Sequence, residues 1–168
     1  WRTAADDIQL AAHNHLFNEE RQVFYRGVIV KDGEIHRDET IDNAAVYSAF
    51  MFGLFAADSP EMKASLATVA QVFNTSPENP GLPRYENDDY RRPSLDVTGN
   101  WWYITTLWQA QYDIDQGNTD NALSILQWIH AHMSTTHMMG EQINPLTEES
   151  IAPAPLTWSH AEYLSTLI

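Results

Sequence analysis

The chain of 168 residues contains no cysteine, so disulfide bonds and thiolate chemistry are both excluded. Basic residues are few, since 9 Lys and Arg stand against 23 Asp and Glu, and the formal net charge is −14. This charge repels phosphate backbones and anionic lipid surfaces, so we expect neither nucleic acid nor a membrane as a partner. No apolar run is long enough to span a bilayer. A neutral substrate is unaffected by the charge.

The length and composition are those of one globular domain that can bury a core. Hydrophobic residues make up 43% of the chain and charged residues 19%. The chain starts with Trp1 rather than Met, so we expect that a segment upstream was removed or left out. Because the chain has no cysteine, its sequence is compatible with an oxidising and with a reducing compartment.

Hydrophobic periodicity predicts about six helices. Residues 22–37 are rich in β-formers around the turn Asp32-Gly33, which predicts a short hairpin or an irregular extended segment. Residues 75–98 form a long polar loop, and loops of this length in compact domains are usually functional or disordered. The predicted helices are 2–18, 39–56, 60–74, 99–115, 119–133 and one that begins near Leu156.

Two kinds of helix alternate along the chain. Helices 39–56 and 99–115 are apolar nearly all round, which is typical of buried helices, whereas 60–74 and 119–133 carry one apolar stripe each. The buried helices recur at roughly 55–60 residues, a repeat that predicts an inner and an outer ring. Because the long polar loops all precede inner helices, we expect Arg84–Tyr90 and Glu141-Gln142 on the same rim.

The stretch Gly140–Tyr163 combines a polar loop with the start of the last helix. Glu141 and Gln142 lie in a turn marked by Gly140, and Trp158 falls in the helix's first turn, which Thr157 or a neighbour can cap. By residue chemistry alone, Glu141 is more often a solvated loop acid than a catalytic carboxylate in a cleft.

The sequence Gly140-Glu141-Gln142, followed by Pro155-Leu156-Thr157-Trp158-Ser159-His160-Ala161-Glu162-Tyr163, resembles the C-terminal signature of the family 15 glycoside hydrolases, the glucoamylases and their relatives. This resemblance implies an all-α fold, an (α/α)6 toroid of twelve helices, of which the chain supplies about half together with its hairpin. Residues 1–168 then form the C-terminal part of that catalytic domain. The resemblance implies that Glu141 is the general base.

Two further segments are similar to the family's sugar-binding segments. The resemblance implies that Arg84 and an acid that follows it, Asp88 or its neighbour Asp89, bind sugar hydroxyls, although an Arg paired with its own acidic neighbours is the simpler explanation. Asn87 stands where relatives carry Glu. Gly99-Asn100-Trp101-Trp102 resembles the family's Gly-Asn-Pro-Trp, with Trp101 in place of Pro. The resemblance favours Trp102, Trp158 and Gln142 as substrate-binding residues over simple core packing, which we expect for Trp101 and Trp108.

The family's activity is inverting, exo-acting hydrolysis of α-glucosidic bonds, which requires a general acid as well as a base. The family's acid lies in a Trp-Glu-Glu motif that this chain lacks, so we expect the acid in an N-terminal half. The fragment alone is then expected to be inactive. The alternatives are a non-catalytic carbohydrate-binding or regulatory domain of the same fold, or a bare helical scaffold.

The expected partners are an α-glucoside and either the N-terminal half of the domain or a second copy of the chain, because a half-toroid would expose the apolar flanks of its helices. No cofactor is expected. Two histidine pairs, His13 with His15 and His130 with His132, are spaced by two residues, which places them on different faces of a helix. Zinc sites on helices need a spacing of four, so we expect no metal site.

Overall fold

The computed structural model describes all residues, Trp1–Ile168, and consists of six helices with short antiparallel strands. The chain divides into two compact units, Trp1–Val72 and Phe73–Ile168. The helices are α1 (Arg2–His15), α2 (Asn43–Met51), α3 (Pro60–Phe73), α4 (Tyr103–Asp115), α5 (Thr119–Ala131) and α6 (Thr157–Leu167). The strands are β1 (Phe17–Asn18), β2 (Val23–Phe24), β3 (Gly27–Lys31), β4 (Glu34–Asp38), β5 (Trp101–Trp102), β6 (Gln142–Ile143) and β7 (Ser150–Ile151). None of the helices has the length and apolar composition needed to cross a bilayer.

The predicted hairpin is present in the first unit. Strands β3 and β4 pair antiparallel, and Lys31 lies opposite Glu34, which leaves a two-residue turn. Asp32 and Gly33 both have positive φ, 54° and 81°, as the turns favoured in two-residue hairpins require. A second, smaller pairing joins Phe17–Asn18 to Val23–Phe24, which the sequence pattern did not predict.

Helix α1 differs from the prediction in its burial. We expected an apolar face of Ala5, Ile8, Ala12, His15 and Leu16, but the helix ends at His15 and only Ala12 is buried along it. Ile8 is 67% exposed. The core of the first unit instead includes Phe24 and Phe55, whose tilted rings have centroids 4.7 Å apart. The exposed His13 lies against Phe55, with ring centroids 4.2 Å apart.

Helix α2 is shorter and less buried than predicted. Asp42 begins the helix, because its carboxylate accepts the backbone N–H groups of Ala44 and Ala45 at 2.7 and 3.2 Å. The helix ends at Met51, and Gly53 follows with a φ of 67° that redirects the chain. The predicted all-round burial is therefore wrong at this end, where Phe52 is 80% exposed.

Helix α3 agrees with the prediction, because local signals define its start. The Ser59 hydroxyl accepts the N–H of Met62 at 3.2 Å, and Pro60 occupies the first helical position. The predicted stripe faces inward: Met62 and Val69 are 0% and 2% exposed.

The second unit is built around α4, which packs against both α5 and α6. The predicted stripe of α5 supplies Ala122, Ile125 and Ile129 to a buried cluster that α4 completes. The remaining buried members of this cluster are Tyr103, Leu107, Ala110, Met139 and Ile143. As predicted for a buried helix, the apolar side chains of α4 are largely covered, although Ile114 near its end is 41% exposed. The apolar flanks that we expected a half-toroid to expose are therefore small on this helix.

The turn between α4 and α5 is held by the buried Asp113. Its carboxylate accepts amide N–H groups from Asn118 at 3.2 Å and Asn121 at 2.6 Å. Gln109 donates to the same carboxylate at 3.2 Å. A buried carboxylate must find such donors, so the α4–α5 turn is tied to this one side chain.

Candidate functional site

A three-stranded sheet of very short strands connects the two predicted site segments. Strand β6 lies between β5 and β7, with Trp102 opposite Gln142 and Trp101 opposite Ile143. Glu141 directly precedes β6. The antiparallel pairing therefore brings the 99–102 motif beside the 140–142 motif, although 40 residues separate them in sequence.

The loop that carries Arg84 is anchored to the first turn of α4. The Leu82 carbonyl accepts the Trp102 N–H at 2.8 Å and the Thr105 hydroxyl at 2.6 Å. The Leu82 N–H donates to the Thr106 hydroxyl at 3.0 Å. Gly81 allows this close approach, because a Cβ there would lie 2.5 Å from the Trp101 ring.

Arg84 forms a two-pronged ion pair with Asp88. Nε and Nη2 each donate to a different carboxylate oxygen at 2.8 Å, and the Asp88 side chain is almost fully buried. The guanidinium lies over the Trp102 ring, 4.4 Å from its centroid, and 5.4 Å from the Tyr90 ring centroid. Its hydrogen bonds to Asp88 raise the pKa of Arg84, and the negative charges of Asp88 and Glu141 act in the same direction. Arg84 is thus always positively charged, and its guanidinium lies against the rings of Trp102 and Tyr90.

Glu141 is partly buried and is held by its neighbour. Gln142 Nε2 donates to Glu141 Oε2 at 2.8 Å, and Gln142 Oε1 accepts from Asn100 Nδ2 at 2.8 Å. Gln142 and Asn100 are both 0% exposed. The carboxylate is therefore oriented by an amide that is itself engaged at both ends, whereas a solvated loop acid would be free to rotate.

Helix α6 abuts the residues just before Glu141. The Ser159 hydroxyl donates to the Gly140 carbonyl at 2.7 Å, and the Met139 N–H donates to His160 Nε2 at 3.1 Å. Leu156 precedes the first residue of α6 and makes no side-chain cap, so the predicted capping by Thr157 or a neighbour is absent. Trp158 follows in the first turn, next to Ser159, and is 52% exposed.

The structure brings five of the six predicted site residues into one neighbourhood. Arg84 pairs with Asp88 and covers Trp102, while Trp102 lies opposite Gln142, which binds Glu141. Trp158 is connected to this group only through its neighbours Ser159 and His160, which bind the backbone of Gly140 and Met139. The functional roles of these residues remain predictions. No group of three or more His, Asp or Glu side chains is placed to hold a metal ion.

Two residues of this neighbourhood were missed as site residues. Tyr90 places a second aromatic ring beside that of Trp102, with the two ring centroids 6.3 Å apart. Asn100 bridges to Gln142 and also donates to the Arg91 carbonyl at 3.0 Å. Only the position of Asn100 within the 99–102 motif could have indicated it, because its partners are distant in sequence.

This arrangement can bind a polyhydroxylated ligand and activate a water molecule. A guanidinium on aromatic rings offers planar donors beside apolar faces, which suits the hydroxyls and the C–H faces of a sugar. A carboxylate with one oxygen already bound leaves the other to accept a proton.

No family model matches the sequence. An uncharacterised glycosyl hydrolase of Methanocaldococcus jannaschii is 26% identical over 140 residues, which cover 76% of this chain and 21% of that protein. The chain thus spans about a fifth of this relative's length.

Solved structures match over nearly the whole chain. A wild-type glycosidase superposes with a TM-score of 0.75 at 18% identity, covering 98% of this chain and 42% of that one. A variant of a glycosidase in complex with glucose gives 0.74. A bacterial glucoamylase in complex with acarbose gives 0.71 at 21% identity, covering 97% of this chain and 28% of that one. The chain therefore has the fold of these glucoamylase-like proteins, of which it spans less than half.

Proposed function

We propose that residues 1–168 are the C-terminal part of a glucoamylase-like catalytic domain, which hydrolyses α-glucosidic bonds at the end of an oligo- or polysaccharide with inversion. The observation that carries this proposal is the oriented carboxylate of Glu141, held at 2.8 Å by Gln142, in a neighbourhood where Arg84 lies on Trp102. The fold shared with the glycosidases supports it.

In this mechanism Glu141 is the general base. Its carboxylate takes a proton from a water molecule as that water attacks the anomeric carbon, while an acid on the opposite face protonates the departing oxygen. Inversion places the two carboxyl groups roughly 6.5–9.5 Å apart, with the water between Glu141 and the sugar. The acid is proposed to lie in the N-terminal half of the domain, because this chain contains no Trp-Glu-Glu motif.

The other residues bind and orient the sugar. Arg84 donates to hydroxyls of the terminal sugar, and Asp88 holds the guanidinium in a fixed plane, because both of its oxygens are bound to Arg84. Trp158, which is 52% exposed, provides apolar surface for the sugar faces, whereas Trp102 is 3% exposed and supports the Arg84 guanidinium instead. Gln142 contributes by orienting the base, since its amide is already bound to Glu141 and Asn100.

The anomeric form of the first product tests the mechanism. When the full-length protein acts on a maltooligosaccharide, we expect the NMR spectrum to show β-glucose before α-glucose, because inversion at an α-linkage gives the β-anomer. Initial release of α-glucose would contradict inversion. Binding of the sugar without any hydrolysis would favour the non-catalytic carbohydrate-binding or regulatory alternative.

A second prediction concerns association. We propose that the chain pairs with the N-terminal half of its domain or, failing that, with a second copy. Large apolar side chains are exposed on α1, α6 and the end of α2, and exposed apolar surface of this kind marks association sites. They include Ile8, Leu10, Phe52, Trp158, Leu164 and Leu167.

Sedimentation of the purified chain at micromolar concentration measures this. We expect a species heavier than the 19.1 kDa monomer, which should convert into a one-to-one complex when the N-terminal half is added. A stable monomer that binds no hydrophobic dye would contradict the proposal. Replacing Phe52, the most exposed of the six, by Ser should shift the equilibrium towards the monomer. A Ser in place of the buried Phe55 would unfold the unit instead and serves as the contrast.

A further inference from the structure

The side chain of Asn100 is held in one orientation by its surroundings. It is fully buried, and its Nδ2 donates to the Arg91 carbonyl at 3.0 Å and to Gln142 Oε1 at 2.8 Å, with the Tyr90 carbonyl at 3.4 Å. Backbone carbonyls can only accept, so the amino side of the amide must face them. Asn100 Oδ1 has no hydrogen-bond partner. The donor side alone therefore determines the orientation.

This orientation determines that of Gln142 in turn. Because Asn100 presents N–H groups to Gln142, the facing atom of Gln142 must be its carbonyl oxygen. The amino group then points to Glu141, where Nε2 donates to Oε2 at 2.8 Å. The strand pairing of Trp102 with Gln142 fixes the distance between the two amides. The chain of hydrogen bonds thus has one direction, from Asn100 to the carboxylate.

The direction matters to Glu141, because the carboxylate of a general base can only accept hydrogen bonds, so Oε2 needs the amino side of the Gln142 amide. It also restricts rotation of the carboxyl group, so that Oε1 keeps one position. If the amide of Gln142 were reversed, its carbonyl oxygen would face Glu141 Oε2. Two acceptors would then meet without a proton between them, and the carboxylate would lose the contact that orients it.

We infer that Asn100 is a positioning residue for hydrolysis, which acts through the amide of Gln142 to keep the Glu141 carboxylate in one orientation. This inference rests on the proposed role of Glu141 as general base. Asn100 itself touches no substrate, because it is completely buried.

The variant Asn100→Asp in the full-length enzyme tests the inference. A carboxylate at this position accepts rather than donates, so Gln142 must turn its amino group towards it and present oxygen to Glu141. We expect kcat to fall roughly tenfold or more, since a hydrogen bond to a charged group is lost. KM should change little.

Asn121→Asp is the matched control. Asn121 donates its amide to the buried carboxylate of Asp113 at the far end of α4, about 15 Å from Tyr103 by helix rise. This substitution should lower Tm and leave kcat unchanged. An equal fall in kcat in both variants would mean that the fall reports stability, and the inference would be wrong.

A double-mutant cycle provides a second test that adds no charge. If Asn100 acts through Gln142, the rate of Asn100→Ala combined with Gln142→Leu should match that of Gln142→Leu within about twofold. Multiplying effects would show that Asn100 supports the site in another way and would overturn the inference. The Glu141→Gln variant separates the role of Glu141 from the positioning role of Asn100. If it keeps its activity, the proposed role of Glu141 as general base fails; if it is inactive while Asn100→Asp keeps a normal kcat, only the positioning role of Asn100 fails.

Discussion

In the full-length enzyme, Glu141→Gln should lower kcat by about 10²–10⁴-fold and leave sugar binding nearly unchanged. General base assistance is worth roughly this much, because the attacking water must otherwise lose its proton unaided. Gln keeps the shape of Glu and can still bind hydroxyls, but its amide has no basic oxygen of comparable strength. Turnover by product release and affinity by calorimetry measure the two effects separately.

Glu149→Gln is the matched control for this prediction. Glu149 lies on the other side of β6 from Glu141, directly before β7, and is exposed, so its loss should leave kcat and KM unchanged. The contrast between the two tests whether the effect belongs to the oriented carboxylate rather than to the acidity of the loop. Near-normal turnover in Glu141→Gln would show that another group activates the water.

The second large effect is expected from Arg84→Met, which removes the guanidinium but keeps an apolar stem on Trp102. The Asp88 carboxylate, which accepts both prongs of Arg84, would remain buried without its charged partner. Removing one member of a buried pair costs about 3 kcal/mol or more of unfolding free energy. Because the sugar also loses its donor, KM should rise more than kcat falls. Urea denaturation and steady-state kinetics measure these changes.

The double variant Arg84→Met with Asp88→Asn separates stability from binding. Neutralising Asp88 removes the unpaired charge, so most of the lost unfolding free energy should return while KM stays high. Arg91→Met is the control, since Arg91 is exposed and its side chain lies 5.8 Å from the Tyr90 ring centroid. An Arg84→Met enzyme with unchanged stability and KM would show that the ion pair serves neither purpose.

Elements with local signals were predictable from the sequence. Helix α3 begins at Pro60, as predicted, and it ends within one residue of the predicted position. The Asp32-Gly33 turn specified the hairpin, because few residues accept positive φ at two successive positions. The stripe of α5 likewise matched its buried face, since a 3.6-residue period is a property of the chain itself.

Elements that depend on distant partners were predicted less well. Helix α4 was expected to start at residue 99 but starts at Tyr103, because Trp101 and Trp102 pair as a strand with Gln142 and Ile143. Their aromatic side chains suit a helix core and a strand equally, so the period could not distinguish them. The burial of α1 was overestimated for a related reason. An apolar face indicates that a helix packs against a partner element, but it does not indicate whether that partner lies in the same chain.

The candidate site was likewise predictable only in part. By itself the sequence determined the residue types and their motifs: Glu141 beside Gln142, Arg84 four residues before Asp88, and Trp102 after Gly99-Asn100. Only the tertiary structure decided that the Arg84 guanidinium lies on Trp102 and that an amide from Asn100 orients Gln142 against Glu141. The physical reason is that motif spacing is a local property of the chain. The direction of a buried hydrogen bond depends on which donors and acceptors the fold brings together across 40 residues of sequence.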